Sequence, residues 1–80
     1  MTYKLVQLAE GAYDVEHAGE VIASLVVTAG ARGSDRWCAE LLDESGPYPA
    51  PFTAPSSTFA TFSDALTWFD DPEVVSAPGR

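Results

Sequence analysis

The chain has 80 residues, with 12 acidic against 4 basic side chains and a formal net charge of −8, which leaves room for one domain and argues against direct nucleic-acid binding. Only Lys4, Arg32, Arg36 and Arg80 carry positive charge, too few to neutralise a run of phosphates. Two Trp, three Tyr and four Phe within a 46% hydrophobic composition exclude a disordered chain, and the single Cys38 excludes an intrachain disulfide framework or a Cys-rich metal site.

Tyr3 to Leu8 mixes aromatic and branched residues and reads as a first strand, closed by the turn signal Glu10-Gly11. Tyr13-Asp14-Val15-Glu16 alternates strictly, which sends Tyr13 and Val15 to the core and Asp14 and Glu16 to water. Ala18-Gly19-Glu20 is a tight turn. Val21 to Thr28 is apolar on both faces for much of its length and reads as a central strand. Gly30 to Asp35 is a flexible loop, and Arg36 to Leu42 is a fourth strand with Trp37, Ala39 and Leu41 on one face.

Asp43 to Thr58 holds Pro47, Pro49, Pro51 and Pro55 and should be extended and irregular, with Tyr48 and Phe52 pinning it to the core. Phe62, Ala65, Leu66 and Phe69 then fall on one apolar stripe, the signature of an amphipathic helix. Thr61 or Ser63 can cap it, Thr61 with Asp64 approximates a capping box, and Pro72 stops it. At about ten residues such a helix is marginal alone and must dock on the sheet. The expected architecture is α+β: an antiparallel sheet of three to four strands with one short C-terminal helix packed on one face. Residues 1–73 form the domain and 74–80 a flexible tail.

Catalysis is not expected. His17 is the only histidine and reads as an exposed hairpin residue; Cys38 lacks the electropositive setting that activates a thiol. Gly30-Ala31-Arg32-Gly33 matches a GXXG loop formally, but it joins two predicted strands instead of two helices. No Walker loop and no Gly-x-Ser-x-Gly elbow is present. No cofactor and no metal is implied. The start, Met-Thr-Tyr-Lys-Leu-Val-Gln, lacks a signal-peptide pattern, and the apolar stretch from Leu25 to Ala31 is too short to cross a bilayer, so a cytoplasmic location is expected.

The carboxylates carry the functional expectation. Asp14 and Glu16 form a negative row that Glu20 extends across the turn; Glu40 and Asp43 form another, and Asp64, Asp70 and Asp71 lie along the helix. Asp70 and Asp71 break a local rule, because the last turn of a helix prefers cations. The expected partner is a basic protein surface, such as that of a nucleic-acid-binding effector complex, with the protein itself a monomer or homodimer. The other expectation is a structural or regulatory module that associates through an edge strand or through Trp68.

Arg36-Trp37 on a strand, followed by Phe59-Ala60-Thr61-Phe62-Ser63-Asp64-Ala65 entering a helix, resembles the three-stranded integrase arm-type DNA-binding domain. In that family a Trp-bearing strand precedes a Phe-x-Thr sequence and an Ala-containing helix. The resemblance covers about the second half of the chain and implies a β-β-β-α fold. The family's basic DNA-facing strands are replaced here by neutral and acidic ones, so DNA binding does not carry over. In size, single-domain build and acidity the chain is similar to phage-borne inhibitors, the anti-CRISPR and anti-restriction proteins. That similarity implies a non-enzymatic nucleic-acid mimic.

Overall fold

Four strands pair in succession as an antiparallel meander, the first two turns falling where the sequence supplies turn residues. The computed structural model describes residues 3–29 and 35–76. It places β1 at Tyr3–Ala9, β2 at Ala12–His17, β3 at Glu20–Ala29 and β4 at Asp35–Leu41. Between β2 and β3, Ala18 and Gly19 take φ of 56° and 81°, the pair of left-handed residues that a type I′ hairpin needs to match strand twist. The predicted loop at Gly30–Asp35 lies largely outside the described residues.

The sheet is wider than expected. It has six strands in the order β5-β4-β3-β2-β1-β6, with β5 at Ser56–Phe59 and β6 at Glu73–Ser76. It is mixed rather than purely antiparallel, because β6 pairs parallel to β1, Lys4 opposite Glu73 through Gln7 opposite Ser76. β5 emerges from a segment read as irregular, and residues 74–76 from a segment read as tail. Both β5 and β6 are four residues long, too short for a period to register. Each forms because β4 or β1 otherwise presents a row of unpaired backbone groups. The three strands implied by the integrase resemblance are therefore only half of the sheet.

The helix α1, Phe62–Trp68, links the two outermost strands and so must cross the sheet. Its seven residues span only about 10 Å, against roughly 24 Å across five strand spacings. The flanking residues 60–61 and 69–72 cover the remaining distance. Along the face beneath it, Leu5, Val15, Ala23 and Leu41 stand opposite one another across four strands, and all four are buried. Ala65 and Phe69 of the helix and Phe52 of the proline-bearing segment close this core.

Phe69 sits at its centre, with ring centroids 5.2 Å from Tyr3, 6.0 Å from Phe52 and 5.0 Å from Trp68. Trp68, expected as a docking group, is instead packed against Phe52 at 4.9 Å and Phe59 at 5.1 Å. The Tyr3 hydroxyl donates to the Ala50 carbonyl, so β1 and Phe52 together tether the proline segment. Tyr48 does not share that role; it is exposed and its hydroxyl donates to the Glu44 carbonyl at 3.3 Å.

Gly11 is constrained twice. Its φ is +78°, and a Cβ there would stand 2.5 Å from Cγ1 of Val27, whose amide donates to the Gly11 carbonyl at 2.9 Å. Gly11→Ala should therefore destabilise by about 1–3 kcal/mol, combining left-handed strain with overpacking. In urea denaturation the further change Val27→Ala should recover only the steric share of that loss.

Candidate functional site

A strand sends alternate side chains to opposite faces, and helix and proline segment cover only one of them. The molecule is a slab of 37 × 33 × 20 Å, and among the described residues no layer stands above the second sheet face. Across that open face Glu40 stands opposite Ser24, Ser24 opposite Asp14, Asp14 opposite Val6 and Val6 opposite Val75. One step along β2, Glu16 is flanked by Val21 on one side and Lys4 on the other, and Lys4 is followed by Glu73. On the other side of the row, Cys38, Val26 and Ala12 stand in line.

Asp14 and Glu16 are thus roughly 6.6–6.8 Å apart along a strand, and Asp14 and Glu40 about 9–10 Å apart across two strand spacings. Hydrogen-bonded neighbours on both sides of β2, β3 and β4 hold these positions. Asp14 and Glu16 are half-buried and Glu40 is exposed. Beside them on the same face lie the half-buried Val6, Val26 and Val75, which the sequence reasoning did not single out. The signal for Val26 was present in the two-faced apolar run of β3.

The remaining predicted carboxylates lie elsewhere. Glu20 closes the β2–β3 hairpin opposite His17, and Asp43 follows β4. Asp64, Asp70 and Asp71 are on α1 or just beyond it, on the covered side of the slab. No single flat surface joins all of them.

The two helix ends differ chemically. Oγ1 of Thr61 accepts from the Asp64 amide at 3.0 Å, so Thr61 rather than Ser63 is the cap, and Asp64 lies at the positive end of the helix dipole. At the other end the Asp70 amide donates to Thr67 at 3.1 Å and the Asp71 amide to Leu66 at 2.9 Å, the two bonds of a Schellman turn. This turn ends the helix before Pro72 does. It puts Asp70 and Asp71 at φ of 65° and 57°, where glycine is the usual occupant. Asp70→Gly should raise stability by about 1 kcal/mol through relief of backbone strain, read as a higher melting temperature. Asp70→Asn should gain less, since it removes the charge but keeps a side chain.

The reactive groups do not meet. Cys38 is on the open face, while His17 stands opposite Tyr3 on the covered face with its ring 5.2 Å from that tyrosine. His17 is half-buried there, not the exposed hairpin residue expected. Partial burial and the neighbouring Glu40 push the Cys38 thiol above its ordinary pKa, which keeps it protonated at neutral pH and weakly nucleophilic. At pH 8 iodoacetamide should therefore modify Cys38 more slowly in the folded protein than in the urea-denatured chain. Among the described residues no group of three or more His, Cys, Asp or Glu comes together as a metal site, and no helix is long and apolar enough to cross a membrane. Comparisons with protein-family models, with curated proteins and with solved structures give no match.

Proposed function

We propose that the protein is a non-enzymatic acidic binding module that occupies a basic protein surface, of the kind a nucleic-acid-handling complex presents, and inhibits it as a nucleic-acid mimic. The supporting observation is the placement of Asp14, Glu16 and Glu40 on one open sheet face. Backbone pairing fixes the spacing of these carboxylates, so docking orders little that is not already ordered. Their field attracts a basic partner over long range, speeds association and weakens with salt. Val6, Val26 and Val75 add apolar contact beside the charges. The similarity to anti-CRISPR and anti-restriction proteins in size and acidity agrees with this role.

The two charged sides of the slab make the proposal testable at equal net charge. Asp14→Asn/Glu16→Gln/Glu40→Gln and Asp64→Asn/Asp70→Asn/Asp71→Asn each remove the same charge, from opposite sides. With a partner isolated from the native cell and then purified, the first variant should weaken binding at least about ten-fold. The second should change it only by the smaller screened contribution of distant charge. Loss of binding in the helix-side variant alone would overturn the open-face assignment.

A second reading rests on the same face: with Val6, Val26 and Val75 partly exposed and Leu8 47% exposed nearby, two copies could associate through it. Sedimentation at low and high salt separates the two. Apolar self-association persists or strengthens as salt screens the like charges, whereas a complex with a basic partner dissociates.

A further inference from the structure

Where β3 begins and β4 ends, the proline-bearing segment stands off from the strands and leaves an open groove of about 440 Å³. Val21, Leu42, Pro47 and Pro49 contribute apolar walls, Glu20 and Asp43 contribute carboxylates, and among the described residues no lining residue is basic. Leu42 is the most exposed large apolar side chain described, at 66%, and Val21 is also exposed. The Leu42 amide donates to the Ile22 carbonyl at 3.0 Å, which ties this stretch to β3. Asp43 is held as well: its Oδ1 accepts from the Ser45 amide at 3.0 Å and from Ser45 Oγ at 2.6 Å. Both bonds fall on one oxygen, leaving Oδ2 for a partner.

We infer that this groove receives an arginine or lysine side chain of the basic protein partner, its methylene stem on Val21, Leu42 and the prolines and its cation at Glu20 and Asp43. Long basic side chains pair an apolar stem with a charged head, and the groove offers the complement of both. A purely apolar ligand would strand two carboxylates, and a bare cation would leave the walls uncovered. The occupant rests on the partner class proposed above. Val21 stands opposite Glu16, so one wall of the groove borders the open face, while Glu20, opposite His17, lies on the covered side.

The test is a titration of the isotope-labelled protein, followed by amide NMR at low salt, with an acetylated and amidated Ala-Arg-Ala peptide. Its norleucine and alanine counterparts serve as controls. The arginine peptide should give saturable shifts at Glu20–Ile22 and Leu41–Asp43, and the controls should give none. Leu42→Ser, at an exposed site where the fold tolerates change, should weaken this binding roughly ten-fold, as should Glu20→Gln combined with Asp43→Asn. The variant Asp14→Asn/Glu16→Gln/Glu40→Gln should keep the groove shifts with affinity within about two-fold. Absence of saturable shifts at the groove, or shifts that Leu42→Ser leaves unchanged, would overturn the inference. Should the groove fail while the open-face variant still loses the purified partner, the basic-surface proposal stands without it. The reverse pattern removes the open face and leaves the groove as the cation site.

Discussion

The aromatic packing of Phe69 against Tyr3, Phe52 and Trp68 is the interaction on which the rest of the structure depends. A twisted sheet needs at least one face removed from water, and here a seven-residue helix supplies much of that cover. So short a helix does not persist alone; it is held by the apolar surface it buries. The same cluster brings in Phe52 and, through Tyr3 and Ala50, the proline segment. With that cover in place the chain crosses from β5 to the far side of β1, where β6 completes the sheet.

One-sided cover has a consequence for surface chemistry. Side chains that alternate along β1 to β4 divide into a dry set and a wet set, and the wet set carries Asp14, Glu16 and Glu40 beside valines. An exposed sheet face could also template edge or face association. The outermost strands are only four residues long, and the net charge of −8 opposes contact between copies. That same charge underlies the proposed basic partner.

Not all of the acidity belongs to that face. Asp70 and Asp71 occupy left-handed positions at the negative end of a helix dipole, an arrangement unfavourable in both backbone and charge. Their amides nevertheless close the Schellman turn. The turn aims the chain toward Pro72, which is buried, and then into β6. Geometry at this corner serves the crossover, while the side chains remain in water on the side away from the carboxylate array.

Local sequence determined the meander, its turns and the division of each strand into two faces, since alternation and left-handed turn residues act over a few positions. Tyr13 and Val15 against Asp14 and Glu16, and Trp37 and Ala39 against Cys38 and Glu40, were legible that way, and the cap was narrowed to Thr61 or Ser63. The net charge was legible too. Tertiary structure alone decided the six-strand width and the parallel β6, because pairing of Val74 and Val75 with β1 joins residues about seventy positions apart. It likewise decided which carboxylates share a face, that Trp68 and His17 are packed against aromatic rings, and that Glu20 and Asp43 border one groove. Register across strands and the path of a crossover depend on partners distant in the chain, and no local period records them.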